Sequence, residues 1–216
     1  FEVKEILSAY GIPVIATQVA TAEAEAVQIA ETIGYPVVMK IDTPTIFHKL
    51  QKGGVILNIR DRGSVIEAYR SLRAVADLSG DPHAKVILQP MIVRHGYELV
   101  LGAKKDHTFG SAILFGTGGE MVEALQDYAI GLPPLNQALA RRMMADTRIY
   151  RYLQSQQSFA HTFKHLEEVI VRFSQLIVDF PQIKEIDINP FFVSDLDREG
   201  FAFDAGILLE ENILDT

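Results

Sequence analysis

A mixed α/β protein built as two α+β portions is what this 216-residue sequence predicts, and three observations carry that expectation. Short Val- and Ile-rich runs, bounded by glycine, proline or aspartate, alternate with stretches whose apolar residues recur at helical spacing. One such run, "AKVILQPMI", is broken at Pro90, and an antiparallel pair of runs begins soon after it, so a change of subdomain falls there. A hydrophobic content of 48% over this length is enough to bury one or two compact cores.

In chain order, "VKEILSAYG" predicts a helix ending at Gly11. "TAEAEAVQIAETIG" predicts a second, with Thr21 as N-cap, acids in its first turn, Ala26, Ile29, Ala30 and Ile33 on one face and Gly34 at its C-cap. Pro36 stops that helix, and "YPVVMKI" is a strand with Lys40 near its end. After a loop, "GVILNI" is a strand, and a helix follows from the capping box Ser64 and Glu67 to about Ala76. Pro90 makes the next strand either an edge or one that ends in a connector. "YELVLGAKKD" and "SAILFG", joined through "DHTFG", predict an antiparallel pair, and the loop "GTGGE" follows directly. Residues 136 to 180 are mainly helical; Phe163, Leu166, Val169, Ile170, Phe173, Leu176 and Ile177 mark the buried face of the last helix, and Pro181 ends it. The chain closes on a hairpin, "KEIDINPFFVSDLDREGFAFDAGI", turning through "SDLDREG".

The net charge of −8, from 20 basic and 28 acidic side chains, argues against a general electrostatic grip on nucleic acid or on an anionic membrane. An anion-binding site in this chain must be local. With no cysteine, disulfides and thiolate metal sites are excluded, and a reducing compartment is favoured. No run of about 18 apolar residues occurs, and the first residues are helical rather than signal-like, so a soluble, cytoplasmic protein is expected.

The closing hairpin sets a chemical problem. Asp187, Asn189 and Asp204 lie in strands that are otherwise apolar, where an unpartnered carboxylate is costly. A bound cation would satisfy them; so would backbone N–H groups, if the acids face loops. A second candidate is "TPTIFHKLQKGGVIL", where His48, Lys49 and Lys52 stand beside Gly53 and Gly54, and backbone N–H groups freed of side chains can approach phosphate oxygens. An ordinary polar hairpin turn has the same composition. Lys40 weighs for phosphate, because an ammonium on an apolar strand needs a carboxylate or a ligand anion to keep its charge. "GTGGE" lacks the dinucleotide fingerprint and reads as a second anion-binding turn or as a strand-ending turn that needs positive φ. His161 and His165, four apart on a helix with no third ligand nearby, read as a solvated helix face rather than a zinc site.

Lys40, "HKLQKGGV", "LQPMI", "GYELVLGAKKD", "FGTGG", "DFPQIKEIDINPFF" and "FDAGI" follow one another along nearly the whole chain. This series resembles the ATP-grasp region of NDP-forming acyl-CoA synthetases, such as the β subunit of ADP-forming acetyl-CoA synthetase. It is more distantly similar to the succinyl-CoA synthetase β subunit. The resemblance implies the ATP-grasp fold, with two α+β subdomains at residues 1–90, including the leading helix, and 91–216, and a nucleotide, ATP or ADP, bound between them. It puts Lys40 on the phosphates, the Gly53 and Gly54 turn over the triphosphate, Gln89, Pro90, Met91 and Ile92 at the adenine edge, and Glu98 at the ribose. Asn189 and Asp204 match Mg2+ ligands, a role that suits oxygen donors completed by phosphate and water. Asp187 matches an acid that orients a phosphohistidine from another domain, and His48 a loop histidine that itself carries phosphoryl in related synthetases.

Two departures stand out. "HKLQ" replaces the family's common "HKSD", and Gly206 stands where a basic residue commonly follows "DA". Loss of a cation there removes charge that stabilises transferring phosphoryl. The segment that binds CoA and supplies the principal phosphohistidine is not in this sequence, so a partner domain or subunit is expected. The resemblance thus implies the nucleotide step of an acid–CoA ligase; the departures leave open a ligand-sensing, non-catalytic domain like the synthetase-like half of certain bacterial protein lysine acetyltransferases.

Overall fold

The computed structural model describes residues 2–43, 52–93, 95–119, 125–194 and 200–210. They form two compact units, one of residues 15–93 and one of residues 2–14 with 94 onward.

The first unit is a four-stranded antiparallel sheet in the order β1-β4-β2-β3. Its strands are β1 (Gln18–Ala20), β2 (Val37–Asp42), β3 (Val55–Ile59) and β4 (Lys85–Pro90), and its helices are α2 (Glu23–Ile33) and α3 (Arg62–Ser79). One sheet face packs Val37, Met39, Ile41, Val86 and Leu88 against Ala26, Ala30, Val65 and Leu72 of the helices. Alternation then turns Val38, Lys40, Ile87 and Gln89 to the outer face, away from the helices.

Both helix starts differ from the sequence expectation. The N-cap of α2 is Ala22, not Thr21; Thr21 instead gives its N–H and its hydroxyl to Glu25 Oε2 at 2.7 and 2.6 Å. The cap of α3 is Asp61, which accepts from Ser64 N at 2.9 Å, so the helix starts before Ser64 and runs on to Ser79 with Gly80 at its C-cap. An aspartate three residues upstream accepts from Ser64's own N–H, which puts Ser64 inside the first turn rather than at the cap. β4 lies inside the sheet, and Pro90 is its last residue, beside Val37.

The leading helix α1 (Glu2–Ala9), grouped with the first portion in the sequence reading, packs in the second unit. Leu7 and Ile12 are buried in that unit's core, and Ala202 N donates to Pro13 O at 2.9 Å. The sheet there runs β10-β8-β5-β6-β7, with β9 also on β8, and these strands pair antiparallel; Val14 adds a single parallel bridge to Ala202. Its strands are β5 (Tyr97–Asp106), β6 (Gly110–Thr117), β7 (Tyr128–Gly131), β8 (Ile183–Val193), β9 (Phe201–Ala202) and β10 (Ala205–Leu209). The helices are α4 (Gln137–Ala145), α5 (Arg148–Ser155) and α6 (Ala160–Asp179). Leu166, Val169, Ile170, Phe173, Leu176 and Ile177 of α6 are all buried in the core, as the periodicity predicts, against Leu99, Leu101, Ile113, Phe115, Ile186 and Ile188 of the sheet. The residues between those strand positions form this unit's outer face. No helix among the described residues is long and apolar enough to cross a membrane.

Candidate functional site

In the first unit Lys40 sits on the outer face, half-buried, opposite Ile87 on β4 and Val55 on β3. One step along, Gln89 is 2% exposed and donates from Nε2 to Thr17 Oγ1 at 3.0 Å. Past Pro90 the strand leaves the sheet: Met91 N donates to Pro36 O at 3.0 Å, and Met91 and Ile92 are half-buried. Gly53 turns at φ +71 with nothing near the place a Cβ would take, and Gly54 O accepts from Ile41 N at 2.8 Å, which ties the turn to the strand that carries Lys40. That positive φ is one glycine takes without steric cost. His48 and Lys49 lie outside the described residues.

In the second unit the outer face carries the acids. Asp187 lies in one row across three strands with Gly102 on β5 and Gly206 on β10, so side chains are missing on both sides of it. Asp187 keeps an open side to solvent, but the strands crowd its carboxyl; that desolvation, then the charges of Glu185 and Asp204, pushes its pKa up to about 6. Both charges acting on it among the described residues are negative, whereas Glu185 is itself paired with Lys104 at 3.2 Å. The expectation that a partner satisfies Asp187 therefore points outside the described protein atoms.

Asn189 stands where the β5–β8 register shifts: Leu101 pairs with Ile188 but Leu99 with Phe191, so Asn189 and Pro190 together stand opposite the single residue Val100. Such a bulge re-aims a side chain next to a site. Asn189 Oδ1 accepts from Gly119 N at 2.8 Å, and Asp204 Oδ1 from Ala205 N at 3.1 Å. Each accepts from a backbone N–H, and an amide or carboxylate oxygen carries more than one lone pair, so backbone capping and cation binding are compatible here. Glu98, exposed on β5, gives its carbonyl to Gly118 N at 2.7 Å.

An amide oxygen and a carboxylate are hard donors and fit Mg2+ rather than a soft metal. His161 is exposed and His165 half-buried, and no group of three candidate ligands surrounds them among the described residues. The positive φ expected of a strand-ending turn in "GTGGE" is found at Gly119, but the sequence assigns neither Gly118 nor Gly119 its contact, the backbone they bring onto Glu98 and Asn189. The density of glycine in "GTGGE" was the available signal, but only the tertiary contact gives it a purpose.

Residues 1–209 match the family model of the ATP-grasp domain. The chain is 38% identical over 216 residues to subunit beta of acetate–CoA ligase [ADP-forming] I of Pyrococcus furiosus, covering 96% of this chain and 90% of that one. It is also 38% identical to the ADP-forming 4-hydroxybutyrate–CoA ligase of Nitrosopumilus maritimus, over 89% of this chain but only 28% of that longer protein. Among solved structures it superposes with a TM-score of 0.80, at 30% identity and over 96% of this chain and 90% of the other, on acetyl-coenzyme A synthetase 1 of Ca. Korarchaeum cryptofilum. That structure holds coenzyme A and Mg-AMPPCP, with its phosphohistidine segment pointing towards the nucleotide-binding site. The chain belongs to the ATP-grasp family, as a homologue of the β subunits of ADP-forming acyl-CoA synthetases.

Proposed function

We propose that this chain binds ATP with Mg2+ and performs the nucleotide half-reaction of an ADP-forming acid–CoA ligase. The observation that carries this reading is the second unit's outer face, where the Asn189 amide and the Asp187 and Asp204 carboxyls gather with no offsetting cation acting on Asp187 among the described residues. In this reading Lys40 holds phosphate oxygens, and the turn at Gly53 and Gly54 lies along the triphosphate. The backbone of Gln89, Pro90, Met91 and Ile92 meets the adenine edge, and Glu98 accepts from the ribose hydroxyls. Asn189 and Asp204 hold Mg2+, which when bound neutralises charge on the transferring phosphoryl.

Asp187 accepts the N–H of an imidazole presented by a partner domain or subunit, and so aims the other ring nitrogen at the γ-phosphorus. The N–P bond forms as the P–O bond to ADP breaks. The phosphoryl then passes to a carboxylate oxygen of the acid substrate, and the CoA thiol displaces phosphate from the acyl phosphate. CoA binding and the principal phosphohistidine belong to the partner; His48 is a second phosphoryl acceptor in this chain's own loop. A cytoplasmic setting, which supplies nucleotide and coenzyme A, accompanies this reading.

Thermal unfolding with ATP and Mg2+ tests it, since a ligand at about 100 times its Kd stabilises by about 2.7 kcal/mol. A flat response at millimolar nucleotide would overturn the assignment. With the partner added, γ-labelled ATP leaves acid-labile, base-stable label, and His48→Ala lowers its turnover.

A further inference from the structure

We propose that the glycine turn after β6 is the positioning device of the cation site, and that Gly119 is its working residue. This inference rests on the function proposed above. Gly119 has φ +72, and its N–H donates to Asn189 Oδ1 at 2.8 Å. An N–H can face only the oxygen of a carboxamide, so this bond fixes which way Asn189 points and leaves one Oδ1 lone pair for a cation. A Cβ at residue 119 would overlap Glu98 Oε2. One residue without a side chain therefore orients Asn189 on β8 and leaves room for the Glu98 side chain on β5.

The turn is itself anchored. Thr117 donates from N to Asp127 O and from Oγ1 to Asp127 Oδ2, both at 2.9 Å, and Gly118 N donates to Glu98 O at 2.7 Å. Asp127 is buried, and its carboxylate accepts from Arg148 N and Ile149 N at the start of α5, at 2.7 and 2.8 Å. Against the cost of burial, those bonds and the one from Thr117 hold its pKa below the usual carboxylate range. A turn bonded to β5, β8 and a buried carboxylate has few ways to yield, so a Cβ added at residue 119 displaces the end of the Glu98 side chain it overlaps or shifts the Gly119 N–H that orients Asn189.

Gly119→Ala is compared with Gly110→Ala, a glycine of similar φ, +75, in the distant β5–β6 turn with nothing near its Cβ position. Both variants carry the same backbone strain; only one touches the site. ATP binding is titrated with Mn2+ and again with EDTA. The expected result is at least a tenfold loss of the Mn2+-dependent affinity in Gly119→Ala alone, with affinity in EDTA within threefold of the parent for both. Equal Mn2+ dependence in Gly119→Ala and the parent overturns the positioning role while leaving the proposed function standing; a parent that binds no ATP under either condition overturns both. If Gly119→Ala does not fold, the Gly119 amide resonance of the parent decides. ATP with Mg2+ shifts it, and Asn189→Ala abolishes that shift; an amide indifferent to both overturns the role.

Discussion

The two units share a layout and differ in chemistry. Each packs its helices on one face of an antiparallel sheet, and each turns its candidate site residues to the other face. On the first unit that face carries a lysine among apolar neighbours, with Ile87 only 4% exposed opposite Lys40 and Val38 at 7% beside it. On the second it carries carboxyls with glycines for neighbours. The bulges differ in the same way: the first unit's falls on the edge strand β3, where Asn58 takes φ +59, while one of the second unit's two register shifts falls on β8 at Asn189 itself. A lysine set beside Val38 and Ile87 suits the phosphates and the base of a nucleotide. Crowded acids do not, unless a metal stands between them and the phosphates. The proposed division of labour follows the candidate residues on each outer face, Lys40 on the first and Asp187 with Asp204 on the second.

That division breaks or stands on two substitutions. Lys40→Met removes charge that meets phosphate directly, so affinity for ATP falls about a hundredfold whether or not Mg2+ is present, as fits the loss of a charge-assisted bond worth about 1.5–3 kcal/mol. Asp204→Asn lowers affinity about tenfold in Mg2+ and leaves it unchanged in EDTA, because its contact with nucleotide is made through the metal. Calorimetric titration under both conditions checks the pair. An Asp204→Asn protein weakened equally in EDTA would erase the contrast between the units.

How much of this the sequence carries depends on whether a feature is local. The buried face of α6 and the β5–β6 pair are legible because they are long enough to show a period. β1 and β7, three and four residues long, are not. Thr21 and Ser64 mark helix starts to within a few residues, yet neither is the cap. In the site, Lys40, Asn189 and Asp204 announce themselves as polar residues in apolar strands. Gly119 does not, because its role lies in what approaches it from β5 and β8. Of the charges acting on Asp187, Glu185 is legible two residues away on the same strand face, whereas Asp204 reaches it only through the fold of the closing strands.

Gly206 sharpens the comparison by making the second unit's face resemble the first's. It pairs with Asp187 across β10 and β8, and a Cβ there meets nothing within 4 Å. Gly206→Arg therefore places a cation beside the acids at little packing cost. The Asp187 pKa, raised to about 6 in the parent, should fall by about one unit, a tenfold change in its protonation equilibrium, as read by carboxyl NMR titration. In the enzyme reconstituted with its partner, turnover should rise, because a cation near developing phosphoryl charge speeds transfer. Nucleotide binding without any gain in turnover would favour the ligand-sensing role.

The smallest effect concerns stability alone. A carboxyl whose pKa is about 6 in the folded chain and near 3.9 when unfolded binds its proton more tightly in the fold. Its stabilising contribution is complete below about pH 4, where both states are protonated, and is lost as pH rises through 6, when the fold must hold a charge crowded by Glu185 and Asp204. Asp187→Asn cannot ionise and escapes that loss. Because Asp187 keeps an open side to solvent, screening reduces the effect, and the expected gain of the variant over the parent is about 1 kcal/mol at pH 7, shrinking to nothing near pH 4. Denaturant unfolding of both proteins at several pH values between 4 and 7 measures it. The comparison between the units supplies the control: Lys40→Met should show no such slope, since the acid crowding belongs to the second sheet, and a parent whose stability relative to Asp187→Asn stays constant across that range would remove Asp187 from the crowded group.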